Sequence, residues 1–136
     1  MKKYVLEVNE AQMRTIACAL EDYARTRMGQ FFDFSNDVAR AGYVYDKSDP
    51  ENDEKFDAYI QRRDACKEAF EWAFRIAQPW PCYKTDDMMI ALDVWRVIRH
   101  QFYLERPEPK DHWTVDADEP FLESGQPIAN IEVKNG

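Results

Sequence analysis

The chain has 136 residues, of which 45% are hydrophobic and 14% aromatic, so it is long and apolar enough to form a folded core. Its formal net charge of −8 argues against binding to duplex DNA or to an anionic membrane, because both require a basic surface. We therefore expect a single domain over residues 1–136, with a helical core that includes an N-terminal strand over residues 1–106 and an extended segment over residues 107–136.

Cysteine usage and hydropathy indicate the compartment. Cys18, Cys66 and Cys82 form no CxxC pair. The N-terminus lacks the apolar core of a signal peptide, and no apolar run approaches the length needed to cross a membrane. These features predict a protein of the cytoplasm.

The first elements are a strand and a helix. Hydrophobic alternation over residues 4–8 predicts a short strand. Asn9 with Gln12 three residues later is typical of a capping box, so a helix should begin there. Gly29 is expected to end it.

Three further helices are predicted. A short one covers residues 30–42, and a long one covers residues 53–78, where Pro79 and Pro81 end it. Thr85 is expected to cap the last helix, which ends before Pro107.

The remainder is rich in proline and acidic residues. Short strands are predicted at residues 112–115 and 130–134, the second pairing with residues 4–8 or reaching a second subunit. The predicted fold class is therefore α+β: three main helices, one short helix and a small antiparallel sheet formed by the two termini.

The last helix carries the first candidate site. It is apolar almost all round, yet Asp93, Arg96, His100 and Tyr103 follow one another at intervals of three, four and three residues, with Arg99 beside them. We call these five residues the polar stripe. Since a buried guanidinium needs a partner, acidic residues of the same chain, a second copy or an anionic ligand should face this stripe.

Two interpretations of the stripe remain open. One is an internal salt-bridge network. The other is a ligand site in which Arg96 and Arg99 bind phosphate or carboxylate, His100 and Tyr103 add hydrogen bonds, and Trp95 stacks on a base.

A second candidate site lies where the first helix ends. Tyr23, Arg27 and Phe31 combine rings and a cation near Gly29, a mixture that suits a nucleotide, because a ring can stack on a base while arginine binds phosphate. The alternative is an ordinary helix C-terminus followed by a hydrophobic anchor.

Acidic spacing provides a third hypothesis. ExxE pairs at Glu51 and Glu54 and at Glu68 and Glu71 resemble those with which all-α nucleotide pyrophosphohydrolases bind Mg²⁺. The first pair departs from that pattern because it lies beside Pro50. No other metal or nucleophile motif occurs, so we expect no catalytic residue, no resident metal and no cofactor.

Six segments occur in an order that is typical of a known protein family: EAQ at residues 10–12, ALEDYAR at 19–25, MGQF at 28–31, VWRVIRH at 94–100, VDADEP at 115–120 and PIANIEV at 127–133. In these segments and their order, the chain resembles a family of small bacteriophage proteins of unassigned function. The resemblance implies expression from a phage or prophage in the cytoplasm of a bacterial host, and it transfers no active site.

Phage origin, together with the arginine and aromatic groups, suggests an anti-defence protein. The leading hypothesis is a non-catalytic sponge that sequesters a nucleotide immune signal of the cyclic-nucleotide or ADP-ribose type. The alternatives are an acidic inhibitor or DNA mimic of a host defence protein, with acids at residues 46–54 and 105–123 as its working face, and a Mg²⁺-dependent nucleotide hydrolase. Exposed aromatic residues and the detached tail lead us to expect a homodimer or higher homo-oligomer.

Overall fold

A computed structural model describes residues 2–41, 43–77 and 84–134. It contains α1 (Glu10–Arg27), α2 (Phe32–Arg40), α3 (Asn52–Ala77) and α4 (Asp86–Glu105). The chain forms two compact units, one of Met1–Ala24 with Lys84–Gly136 and one of Arg25–Tyr83. The expectation of a single domain stays a prediction.

The capping box predicted at the start of α1 is present. The Asn9 side chain accepts a hydrogen bond from the Gln12 backbone at 2.9 Å, and the Gln12 side chain accepts one from the Asn9 backbone at the same distance. Two backbone donors that the helix itself leaves unpaired are thereby satisfied. Ala24, near the end of α1, is fully buried.

The second unit is held together by aromatic contacts between α2, α3 and the turns that flank α2. Phe31 and Phe34 both pack on Phe70, with ring centroids 5.7 and 5.2 Å apart. At the other end of α2, the ring of Tyr43 stacks on Tyr59 at 5.2 Å. Edge and offset contacts of this kind add to the free energy gained from burying the rings.

In the first unit, α4 is more buried than α1, and side chains of the two helices contact each other. Met88, Ala91, Leu92 and Ile98 are all buried. The Arg14 guanidinium of α1 lies 4.4 Å from the centre of the Phe102 ring, and Tyr23 donates a hydrogen bond to Asp87. Thr85 is the N-cap residue of α4, as predicted, but its hydroxyl donates to the Asp87 side chain and makes no capping hydrogen bond to a backbone N–H.

The predicted sheet is wrong: the part of the chain that the structure describes consists of helices joined by turns, bends and irregular segments and contains no strand. Residues 4–8 belong to no helix or strand, and no backbone within the described part of the chain forms a ladder with them. The backbone of residues 112–115 forms hydrogen bonds to nearby residues and not to a second strand. The N–H of Trp113 donates to the Asp111 side chain, and the carbonyl of Thr114 accepts from the N–H of Ala117. Alternation defines the two faces of a strand, but a ladder also needs a partner backbone.

Several expectations fall outside the described residues, namely those for Gln78, Pro79, Pro81 and Cys82. Among the residues that are described, no helix has the length and apolar character required to cross a bilayer.

Candidate functional site

The polar stripe of α4 faces residues of its own chain. We call residues 107–134 the C-terminal segment. Its first part runs back along α4, so that Tyr103 meets His112, His100 and Arg99 meet Asp116, and Asp93 meets Ser124. The sequence allowed three partners for the stripe: acidic residues of the same chain, a second copy or an anionic ligand. In the structure, the stripe contacts acidic and backbone groups of the same chain.

Asp93 is the centre of this arrangement. Its residue is 6% exposed, and its carboxylate accepts backbone hydrogen bonds from Glu123 at 2.9 Å and Ser124 at 2.8 Å. Burial acts to raise the pKa of Asp93, but the hydrogen bonds from Ser124 and Glu123 and the charge of Arg96 outweigh it and hold the pKa below its usual value. Asp93 is therefore a charged anchor for the C-terminal segment.

Arg96 links two carboxylates. Its guanidinium lies 3.2 Å from Asp93 and 3.2 Å from Glu123, and it sits 4.0 Å from the centre of the Phe121 ring. Lys84 also bonds to Glu123 at 2.5 Å. The Lys84 hydrogen bond contributes most to holding the pKa of Glu123 below its usual value, and Arg96 adds to this effect. Arg96 is thus neutralised within the protein.

Arg99 and Trp95 are likewise engaged with each other and with the chain. Arg99 Nε lies 2.8 Å from a carboxylate oxygen of Asp116, and the guanidinium stacks 4.2 Å from the centre of the Trp95 ring. A base stacking on that face of Trp95 would have to displace Arg99. The structure brings these two predicted site residues together, but as partners of one another.

His100 and Tyr103 complete the stripe. His100 Nδ1 lies 2.8 Å from the backbone oxygen of Asp116, and the Tyr103 hydroxyl lies 2.6 Å from Nδ1 of His112. Burial raises the pKa of Tyr103, and the charges of Glu108 and Asp111 raise it further. The phenol therefore stays protonated and forms a hydrogen bond with His112, which gives it a structural role and makes it a poor nucleophile.

The second candidate site contains an open cleft, which we call the aromatic cleft. It has a volume of about 330 Å³ and is lined by Thr26, Arg27, Phe31, Phe70, Ala73, Phe74 and Ala77. Most of this lining is apolar and aromatic, while Arg27 and Thr26 provide polar groups at the end of α1. Such a combination suits a flat apolar ring that carries a polar or anionic substituent.

Gly29 shapes the turn that forms this cleft. Its φ is +76°, a conformation that disfavours residues with a Cβ, and an added Cβ would lie 2.8 Å from Cε1 of Phe74. The turn closes with hydrogen bonds from Met28 and Gln30 to the backbone oxygen of Arg25, at 3.0 and 2.9 Å. The backbone can therefore approach the ring of Phe74 only because residue 29 is glycine.

Of the three residues predicted for this site, the structure places two in the cleft. Arg27 and Phe31 line it. Tyr23 belongs to the first unit, where its hydroxyl donates to Asp87. Phe70 and Phe74 also line the cleft, and neither was predicted for this site. Their spacing of four residues on α3 marked an apolar helix face, but nothing local showed that this face meets Phe31.

The structure does not bring the ExxE pairs together. Glu54, Glu68 and Glu71 lie in α3 and Glu51 directly precedes it, so the two pairs are separated by about 25 Å at ~1.5 Å per residue. Glu51 and Glu71 also form ion pairs with Lys55 and Lys67, at 3.7 and 3.1 Å. Over the described residues, no group of three metal-ligating side chains is found.

Acids of the predicted mimic face are partly used within the chain. Asp46 accepts two hydrogen bonds from Ser48, and Asp49 accepts from Lys55 and from the Glu51 backbone. The Ser48 hydroxyl contributes most to lowering the pKa of Asp46, and Lys55 does so for Asp49. Asp116 and Glu123 are committed to the stripe. The ion pairs of Asp49, Asp116 and Glu123 offset negative charge on the surface that a mimic would present, whereas the hydrogen bonds from Ser48 leave the charge of Asp46 in place.

Comparison with known proteins finds no matching protein family, curated protein or solved structure. The resemblance to bacteriophage proteins stays a prediction.

Proposed function

We propose that the chain is a non-catalytic binder of a nucleotide-type small molecule, and that the aromatic cleft receives the base. In the context that the sequence suggests, it would act in the host cytoplasm as a phage anti-defence protein that sequesters an immune signal. The observation that carries the proposal is the lining of this open cleft, where Phe31, Phe70 and Phe74 line a space of about 330 Å³ together with Arg27.

The chemistry of the lining supports a nucleotide over a purely apolar ligand. Phenylalanine rings provide stacking for a base, which is worth about 1–3 kcal/mol per base at comparable sites. The guanidinium of Arg27 provides planar donors for a phosphate. A volume near the lower end of the usual range for ligand sites suits one base and its sugar.

The same lining supports binding without chemistry. Among the described residues that line the cleft, the polar side chains are those of Thr26 and Arg27. A guanidinium remains protonated at neutral pH and cannot accept a proton, and an isolated hydroxyl is a weak base. Sequestration requires only affinity, so this set of groups is sufficient for it.

Thermal stability with a panel of mononucleotides, cyclic nucleotides and ADP-ribose tests the proposal. A ligand present at 100 times its dissociation constant should stabilise the protein by about 2.7 kcal/mol. If no member of the panel stabilises the protein, the proposal is contradicted.

Matched variants locate the site. Ala73→Trp fills the cleft and should abolish the stabilisation, whereas Ala65→Trp, at an exposed position of the same helix outside the lining, should leave it intact. Arg27→Gln should weaken phosphate-bearing ligands more than the free nucleoside, with exposed Arg62→Gln as its control. Equal binding by Ala73→Trp and wild type would exclude the cleft as the site.

A further inference from the structure

The first residues of the chain form an exposed arm with an apolar and a basic part. Tyr4, Val5 and Leu6 are 83%, 90% and 74% exposed, which is unusual for three consecutive large hydrophobic residues. Lys2 and Lys3 precede them, and Lys2 Nζ lies 5.6 Å from the centre of the Tyr4 ring. We call residues 2–6 the N-terminal arm.

A second exposed surface in the same unit has the opposite charge. Asp118 and Glu119 are exposed, and neither has an ion-pair partner among the residues that the structure describes. Phe121 follows them and is 64% exposed, although one face of its ring packs on Arg96. Residues 118–121, which we call the acidic stretch, therefore combine two uncompensated carboxylates with an apolar ring.

We propose that the N-terminal arm of one copy docks on the acidic stretch of a second copy, and that the exchange is reciprocal in a two-fold dimer. Lys2 and Lys3 meet Asp118 and Glu119, while Tyr4 to Leu6 cover Phe121. Each surface provides the charge and the apolar area that the other lacks. Such complementarity determines which partner and register are favoured.

The described contacts favour a second copy over the same chain. The C-terminal segment meets the first eight residues through the ion pair of Glu7 with Lys134 at 2.8 Å. That contact leaves both the arm and the acidic stretch exposed within one chain. With a net charge of −8, two copies should repel unless cations of one copy face acids of the other, and the arm places two exposed lysines side by side. Because each copy provides one arm and one acidic stretch, two copies satisfy both surfaces of each other and form a closed two-fold dimer.

The test is the molar mass of the full chain in solution, measured by sedimentation or light scattering at low (about 50 mM) and high (about 500 mM) NaCl. The wild type should be a dimer that weakens with salt. Lys2→Glu with Lys3→Glu should raise its dissociation constant by roughly tenfold or more, as should Asp118→Lys with Glu119→Lys. The chain that carries all four substitutions should regain the dimer, because the charges are then exchanged and not removed.

The control is Lys47→Glu with Arg62→Glu, which makes the same change in net charge at other exposed sites. It should raise the dissociation constant of the dimer less than Lys2→Glu with Lys3→Glu does. Circular dichroism verifies that each variant is folded. A wild type that is monomeric at all concentrations, or an assembly that neither reversal weakens, would overturn the proposal. So would a failure of the fourfold variant to recover, since general repulsion and not the proposed pairing would then explain the losses.

Discussion

The carboxylate of Asp93 accepts a 2.8 Å hydrogen bond from the backbone N–H of Ser124, which lies 31 positions further along the chain. The neighbouring N–H of Glu123 donates to the same side chain at 2.9 Å. A nearly buried acid on α4 therefore determines where the C-terminal segment lies. Arg96, at 3.2 Å, compensates the charge that this arrangement places out of contact with water.

Asp93→Asn should lower the free energy of unfolding by about 2–4 kcal/mol. The amide keeps the shape of the side chain but directs a donor at a backbone N–H and leaves Arg96 without a nearby charge on its own helix. Urea denaturation followed by circular dichroism measures the change. The exposed Asp118, which has no ion-pair partner in the described part of the chain, provides the control, since Asp118→Asn should change stability by less than about 0.5 kcal/mol. Equal stability of the two variants would contradict the role assigned to Asp93.

The same carboxylates predict a dependence on pH. The pKa of Asp93 lies below its ordinary value of 3.8 and that of Glu123 below 4.5 in the folded chain, so unfolding makes both groups bind protons more readily. Their contribution to stability is present above the unfolded pKa values and is lost as the pH falls through the lower, folded values. Stability should therefore decrease as the pH falls below about 4.

Variants separate this effect from general acid unfolding. Asp93→Asn should flatten the acid limb of a plot of stability against pH. Asp46→Asn should remove only the contribution that Asp46 makes to the loss of stability in acid. That residue lies in the loop before α3, where Ser48 lowers its pKa. If Asp93→Asn retains the whole acid limb of the wild type, the anchor contributes nothing to it.

The features that the sequence predicted correctly depend on residues close together in the chain. The capping box of Asn9 and Gln12 closes over three residues, and the spacing of Asp93, Arg96 and His100 follows from the helical repeat alone. Helix boundaries agree to within one or two residues where the structure describes them. Local chemistry decides such features before any packing occurs.

The features that were missed depend on partners far away in the chain. Residues 4–8 alternate as a strand does, but pairing requires a second backbone that alternation cannot identify. The aromatic cleft forms because Phe31 meets Phe70 and Phe74, and the sequence shows apolar faces on both sides without showing that they meet. For the same reason, the sequence left three partners open for Arg96 and could not select Glu123.

The contact between Tyr103 and His112 predicts an energetic coupling. A double-mutant cycle with Tyr103→Phe and His112→Ala should give a coupling of about 0.5–1.5 kcal/mol, because the hydroxyl lies 2.6 Å from Nδ1. Urea denaturation of the two single variants and the double variant supplies the cycle. Tyr103→Phe combined with Asp118→Asn should be additive. A coupling as small as that of the control pair would show that the hydrogen bond holds no part of the C-terminal segment to α4.

Of the two glycines that the structure describes, Gly29 is predicted to be the one at which a methyl group is less tolerated. Gly29→Ala should lower the free energy of unfolding by about 1–2 kcal/mol, because a Cβ disfavours φ near +76° and would lie 2.8 Å from Cε1 of Phe74. Gly125→Ala is the matched control, since nothing lies within 4 Å of its added Cβ. Urea denaturation of both variants measures the difference. The displaced ring of Phe74 should also narrow the aromatic cleft, so Gly29→Ala should weaken any ligand bound there while Gly125→Ala should not. Equal stability of the two variants would mean that the turn relaxes without strain and that the close approach to Phe74 is not required for the fold.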